Sequence, residues 1–431
     1  MEKKVQNAWA FYDWANSVYS LVISTAVFPI YFNSVTSVND QPNYYDLFGF
    51  SIPNTTLYSY SLSISFILVA LISPFLSGIA DHTGKKKRFL QFFCYLGAFS
   101  CSALFFFDGS NIWFGLLMSV LASVGFWGSL VFYNAFLPEV APPEKQDALS
   151  AKGFSLGYIG ASLLLIVNLL MIQMPDVFGF EGAGQASRFS FLLVGIWWIG
   201  FAQLTFRYLP DNVYHRVSDE RYIWKGFHEL RNVWNELKDQ LSLRRFLYSF
   251  FFFSIGVQTV ILLAGLFGDV ELGLDSSKLI TTILIIQFVG IAGSYLFSFL
   301  SRRFGNLQAL KICIVSWGLL CFAAYTLTKG DPNVELKFYL IGGVVGLVMG
   351  GIQAISRSTY SKLLPEGTHS HASYFSFYDV AEKVAIVLGT AVYGLLIDLT
   401  GSMKMSVLTL SVFFLIGFIL ILRVPKTKYV R

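Results

Sequence analysis

Five charged side chains stand inside otherwise apolar stretches of this 431-residue chain: Asp13, Arg357, Asp379, Glu382 and Lys383. An ionised group in hydrocarbon is costly, so such residues face one another or a polar route, and they mark pathways and gates. Three carboxylates stand against two cations, which leaves one carboxylate without a counter-charge. A buried, unpaired carboxylate can take up and release a proton during a working cycle. The expectation is that Asp13 or Glu382 couples solute movement to protons, with Arg357 paired to one of them in an inner gate. Asp379 and Lys383 are four residues apart on one helix, so they can also simply neutralise each other. Trp9, Asp13, Asn16 and Ser20 follow at four, three and four residues, which gives one apolar helix a polar face.

Other patterns carry less. Gly153-Phe154-Ser155-Leu156-Gly157 has the letters of a serine-hydrolase elbow, but no strand precedes it and it opens an apolar helix. No phosphate-binding Walker loop is present, which disfavours a motor for ATP in this chain. Cys94, Cys101, Cys313 and Cys321 lie within apolar stretches without metal-type spacing and read as buried hydrophobes. His369 and His371 lack further ligands and read as solvated loop residues. No metal, no cofactor and no enzymatic activity are expected.

The elements that must hold the charges are apolar helices. The chain is 55% hydrophobic and only 13% charged, roughly half the charge that a soluble surface needs. Its apolar residues come in blocks long enough to cross a bilayer, where each helix satisfies its own backbone. Spans are expected near 8–33, 57–80, 89–108, 112–136, 152–174 and 188–208, then 246–268, 278–300, 309–328, 337–363, 374–397 and 405–423. The first is too long for a signal-peptide core and no small-residue cleavage site follows it, so it reads as retained. With the N-terminus cytoplasmic, 24 of the 31 Lys and Arg fall in inward segments and five in outward loops. The positive-inside rule therefore puts both termini in the cytoplasm. The net charge of +5 is on this reading a topological signal, and no nucleic acid is expected as a partner.

Six spans, a polar stretch over 209–245 and six more spans imply two halves, 1–208 and 246–431. Leu137-Pro138-Glu139 ends the fourth span and Leu364-Pro365-Glu366 the tenth, each after a tyrosine (Tyr133, Tyr360), so corresponding helices end alike. Duplicated bundles around a midplane site are a recurring carrier plan. Between the halves, Ile223, Phe227, Leu230, Trp234, Leu237 and Leu241 recur at helical spacing behind a Ser218-Asp219-Glu220 cap. This predicts an amphipathic helix of about six turns on the cytoplasmic membrane face, a tether joining the halves.

Between spans two and three runs Ser77-Gly78-Ile79-Ala80-Asp81-His82-Thr83-Gly84-Lys85-Lys86-Lys87-Arg88. Asp81 ends a helix, Gly84 permits a tight turn and the cations hold the loop in the cytoplasm. This resembles the loop signature of the major facilitator superfamily, with Ser77 at the leading glycine and His82 at the usual arginine. The corresponding place in the second half reads Ser301-Arg302-Arg303-Phe304-Gly305-Asn306, with Arg302 where the acid belongs. Trp9-Ala10-Phe11-Tyr12-Asp13-Trp14-Ala15-Asn16-Ser17, Phe132 to Glu139, Gly157-Tyr158-Ile159-Gly160, Gly351 to Ser358 and Phe377-Tyr378-Asp379-Val380 narrow the likeness. Together they are similar to the subgroup holding the fungal autophagy-related vacuolar amino-acid effluxers and many bacterial permeases.

That resemblance implies an all-α membrane protein of twelve helices in two pseudo-symmetric six-helix bundles, moving a small solute by alternating access. It implies a latch in which Asp81, with Gly84, Lys85 and Lys86, engages the start of the eleventh helix. It also implies that helices one, four, seven and ten line a central cavity, which brings in Asp13, Asn16, Tyr19, Trp127, Tyr133, Asn134, Gln258, Thr259, Gln353 and Arg357. Amides, aromatics and one arginine suit a small zwitterion or organic anion. Gly342, Gly346, Gly350, Ala354 and Ser358 form a small-residue stripe that lets another helix approach. Gly153, Gly157 and Gly160 echo the glycine-rich fifth helix of proton antiporters, without its proline. The expected function is proton-coupled efflux of an amino acid or small metabolite across the cytoplasmic membrane by a monomer. The alternative is uptake of a sugar, nucleoside or peptide fragment, and a non-transporting membrane enzyme or receptor is a distant third.

Overall fold

The computed structural model describes residues 2–38, 41–47, 49–211 and 222–430. Twelve helices among them are long and apolar enough to cross a membrane. Spans 1 to 6 are Glu2–Thr36, Asn54–Thr83, Lys86–Phe106, Ile112–Val140, Pro143–Gln173 and Ala183–Tyr208. Spans 7 to 12 are Leu241–Glu271, Ser276–Phe304, Asn306–Tyr325, Val334–Leu363, His371–Thr400 and Met403–Leu422. Large apolar side chains such as Leu71, Phe99, Leu319 and Leu399 stand exposed along them. A water-soluble surface would hide these residues, and hydrocarbon accommodates them.

Sharp reversals between spans rest on glycine where the backbone turns left-handed. Gly84 closes span 2 at φ +69° and Gly401 closes span 11 at φ +65°. Span 1 is not uniformly α-helical. Over Tyr19–Ala26 it widens into a π-helical stretch, with the Val27 amide reaching back to the Val22 carbonyl at 2.8 Å. Beyond span 1 a short antiparallel hairpin pairs Tyr44–Leu47 with Phe50–Pro53.

Glycine also sets how closely helices pack. The stripe on span 10 lies on span 8, so that a methyl group added at Gly350 would stand 2.2 Å from the Gly290 carbonyl oxygen and one at Gly346 2.4 Å from that of Ile286. The span 5 glycines seat span 1 in the same way, Gly157 against Ser17 and Gly160 against the Trp14 carbonyl. Both sets act within one half, as the floor on which a neighbouring helix rests.

Between the halves runs a helix over Tyr222–Asp239, five turns rather than the six expected. The Ser218-Asp219-Glu220 cap and the Ile223 side chain lie outside the described residues. One face of the helix packs against the spans. Gly226, Val233 and Leu237 are buried, whereas Phe227 and Trp234, assigned from the sequence to the same stripe, are exposed. Gly226 presses against Gly78 and Ile79 of span 2. Glu229 accepts from the Ser370 hydroxyl, Glu236 accepts from the Tyr374 hydroxyl at 2.7 Å, and Trp234 meets Phe377 at 5.5 Å. The connection thus bridges span 2 of one half and span 11 of the other.

Replacing Gly350 by alanine is expected to lower the melting temperature of the detergent-solubilised protein. Overpacking costs about 1–3 kcal/mol. Gly394→Ala, with nothing within 4 Å of the added carbon, is expected to leave it unchanged or raise it. Thermal denaturation followed by intrinsic fluorescence distinguishes the two.

Candidate functional site

Arg357 on span 10 is buried between the halves, 3% exposed. A buried guanidinium must find an anion and acceptors for its five N–H groups, and the first half supplies both. Its two terminal nitrogens lie 3.2 and 3.3 Å from one Asp13 carboxylate oxygen. It also donates to the Ser150 hydroxyl at 2.9 Å, the Ser150 carbonyl at 3.0 Å and the Asn134 amide oxygen at 3.3 Å. The Tyr133 hydroxyl donates to the same Asp13 oxygen at 2.8 Å. Phe154, Trp9 and Tyr133 surround the cation with ring faces at 4.1, 4.9 and 5.4 Å. Close approach here depends on Gly153, where an added carbon would stand 2.4 Å from Asp13 Oδ2 and 3.0 Å from Arg357.

Asp13 is therefore paired, and the unmatched charge lies elsewhere. Lys383, 1% exposed, bonds to Asp379 at 2.8 Å and to Glu382 at 3.0 Å. One cation serves two carboxylates. Glu382 also accepts from the Gln258 amide at 2.9 Å. The second oxygen of Asp379 is buried with no hydrogen-bond partner among the described residues. Lys383 further stands 3.7 Å over the Trp127 ring of span 4, a contact across the halves.

Above this floor lies a cavity of about 240 Å³, lined in part by Asn16, Asn134, Tyr158, Gln258, Gln287 and Gln353, with Asp13, Arg357 and Glu382 at its walls. Its lining continues through Ser20, Ser24 and Thr25 of span 1 and Ala264 and Ile283 of spans 7 and 8. Most expected cavity residues therefore meet there, Trp127 included. Tyr19 does not: it is buried against Phe126 and Trp198 within the first half, since six residues of α-helix turn it about 120° away from the Asp13 face. Tyr133 lies behind Asp13 rather than at the wall, stacked on Trp9 at 4.6 Å. Thr259 turns into a separate small apolar cavity inside the second half.

Polar contacts between the halves gather on the face that carries the chain ends, the Gly84 turn and the linker. Asp81 accepts from the Ala372 and Ser373 amides at 3.1 and 2.7 Å. These are the free N–H groups of the first turn of span 11, where a helix favours negative charge. Lys86 is ion-paired with Glu139. His371, expected to be solvated, is instead buried with Nδ1 3.0 Å from the same Glu139. Glycine at position 84 makes the turn that aims Asp81 and Lys86, while Lys85 is exposed just past it.

The opposite flank is closed by a group that sequence reasoning missed. Asp147 at the start of span 5 bonds Lys362 at 2.8 Å, the Ser301 hydroxyl at 2.8 Å and the Asn306 amide at 2.9 Å. Arg302 is exposed, its guanidinium 3.4 Å from the Ser298 carbonyl. The second-half loop thus lacks its own acid, and the first half provides one. The signal available in the sequence was an acid one turn into span 5, opposite a loop whose acid had been replaced.

Arg357→Ala is expected to destabilise the protein by about 3–5 kcal/mol, the cost of stranding one member of a buried ion pair. Adding Asp13→Asn is expected to recover part of that loss, so a double-mutant cycle of melting temperatures reads the coupling.

The model for the family described as "Vacuole effluxer Atg22 like" matches residues 1–431. The chain is 32% identical over 426 residues to the uncharacterized MFS-type transporter YxiO of Bacillus subtilis, covering 98% of this chain and 95% of that one. It is 25% identical over 432 residues to autophagy-related protein 22 of Coccidioides immitis, covering 83% and 70%. Among solved structures it is similar to the major facilitator transporter FucP in the outward conformation, with a TM-score of 0.70, 12% identity and 99% of both chains covered. It is also similar to the proton:xylose symporter XylE, with a TM-score of 0.72, 13% identity and 99% and 97% covered. Fold and family are those of membrane transporters, not enzymes. With its twelve spans in two halves about an interior polar cavity, this chain belongs to the Atg22-like effluxer family of the major facilitator superfamily.

Proposed function

We propose that this carrier exports an amino acid or a similar small metabolite by alternating access, coupled to protons. One observation carries the reading: a polar cavity floored by the Arg357–Asp13 pair, with the latching contacts gathered on one face. A single barrier below and a lined route above are what a carrier needs in one of its two end states. The cavity's charge favours a solute with a cationic end. Arg357 is neutralised by Asp13, and Glu382 is the carboxylate at the wall whose lysine is shared. The amides of Gln258, Gln287 and Gln353 and the ring of Trp127 supply neutral recognition for the remainder.

The relatives' names favour efflux, since the family description is that of a vacuole effluxer. The second reading is uptake of a sugar, which the amide-and-aromatic lining also serves and which the titles of the XylE and FucP structures attach to those proteins. The face with the chain ends is assigned to the cytoplasm of a bacterial inner membrane on the bias of its lysines and arginines, and the unit of transport is assigned to the monomer.

Asp81, Gly84, Lys85 and Lys86 are assigned to one latch and Asp147 with Lys362 to the other. Arg357 and Asp13 form the inner gate. Proton coupling is assigned to Asp379 and Glu382, which share Lys383, rather than to Asp13. Protonating either carboxylate would leave that lysine with a single partner and loosen its hold over Trp127.

Reconstitution into liposomes with labelled amino acids and sugars, with and without a pH gradient, tests the whole. Amino-acid flux accelerated by the gradient is expected, and flux of sugars alone would select the second reading. Absence of any solute flux would sink the assignment. Asp379→Asn or Glu382→Gln is expected to abolish the acceleration while exchange persists, whereas Asp13→Asn should slow both. Uncoupling by Asp13→Asn alone would return the proton to Asp13.

A further inference from the structure

The helix Tyr222–Asp239 is seated against the side of span 2. Gly226 packs against Gly78 and Ile79, and Gly78 lies five residues inside the end of span 2. At 1.5 Å per residue that is about 7–8 Å in from the helix end, so the linker helix lies alongside the end of span 2 and not beyond it.

Its residues sort into three faces. Gly226, Val233 and Leu237 are buried against the spans. Asn232, Asn235 and Asp239 are exposed on one side and carry no apolar group. Trp224, Phe227, Arg231, Trp234 and Lys238 form the other side at three- and four-residue steps. Trp224 is 71% exposed, and Phe227 and Trp234 are each 48% exposed. The Lys238 ammonium lies 5.6 Å from the Trp234 ring. Acidic residues are segregated from this stripe: Glu229 and Glu236 reach Ser370 and Tyr374 of span 11.

Exposed tryptophan and phenylalanine alternating with basic groups, alongside the end of a span, match an anionic lipid surface in both polarity and charge. We propose that this stripe binds the anionic phospholipid of the adjoining leaflet, and that the bound lipid holds the helix as a strap across spans 2 and 11. The grip on span 2 is backbone to backbone at two glycines, whereas the grip on span 11 is through side chains. Opening of this face therefore releases span 11 first. Lipid composition then sets how firmly the face is shut, independently of the solute carried.

The test uses the full-length protein in vesicles of phosphatidylcholine, with and without phosphatidylglycerol. The four native cysteines are buried, so single introduced ones at Phe227→Cys and Asn235→Cys can carry an environment-sensitive fluorophore. The label at 227 is expected to be quenched from the lipid phase and shielded from aqueous iodide, and the label at 235 to behave in the opposite way. Phosphatidylglycerol should shift the 227 signal further to the blue. The pair Arg231→Gln and Lys238→Gln should remove that shift without changing the melting temperature. Equal iodide access at 227 and 235, as expected if a separate protein covers the stripe in the cell, would overturn the proposal. A phosphatidylglycerol response that survives the double substitution would overturn it as well.

Discussion

Arg357 cannot be left alone. A guanidinium loses its hydration wherever it is enclosed by apolar helices, and it is stable there only with an anion and acceptors fixed in place. In this protein no single helix meets that demand, and the partners come from the half opposite Arg357. Span 10 holds the cation, span 1 the carboxylate, span 4 a tyrosine and an amide, and span 5 a hydroxyl and a carbonyl. Two six-helix units are thereby tied through one charge. The need for Gly153 follows, since any side chain there would stand where the Asp13 carboxylate must be.

Around that centre the closure is distributed over two flanks. Spans 2 and 11 meet through a carboxylate on helix-terminal amides, with a lysine, a glutamate and a histidine beside it. Spans 5, 8, 9 and 10 meet through Asp147 and its three partners. Each contact is local and modest, but all must part together for the halves to rock. A two-state equilibrium built from such contacts moves only if something binds the alternative state better. The polar cavity lies on one side of the central pair, where a bound molecule would touch both halves.

The twelve spans and their division were legible because solvation by lipid writes itself into uninterrupted apolar runs. The charged residues were equally visible, since a charge in such a run is conspicuous. Their pairing was not. Sequence spacing joins Asp379 to Lys383 on one helix but says nothing of which helix faces Asp13. Asp147 escaped notice because it stands at the polar start of its span, where an acid is unexceptional. His371 was placed in water because loop position does not reveal burial. The linker's periodicity is legible as helical, yet its stripe is divided, with Val233 and Leu237 against the spans and Phe227 and Trp234 exposed. A glycine, invisible to any hydrophobic pattern, marks its true seat. The same glycine accounts for the one at position 78 of span 2: a second backbone rests there.

The widened stretch of span 1 has a consequence for how this site can be altered. In an α-helix a separation of five residues turns two side chains about 140° apart, so Ser20 and Thr25 would face different neighbours. Here the hydroxyl of Thr25 donates to the Ser20 carbonyl at 2.9 Å, and both residues line the cavity. Such a turn holds one residue beyond what an α-helix needs. Deleting a single residue within Tyr19–Ala26 would let the stretch close up into α-helix without breaking its hydrogen-bond ladder, and the segments on either side would keep the faces they present. The set of hydroxyls that this stretch turns to the cavity would change in one genetic step, by indel rather than by substitution, with Asp13 left in its original register.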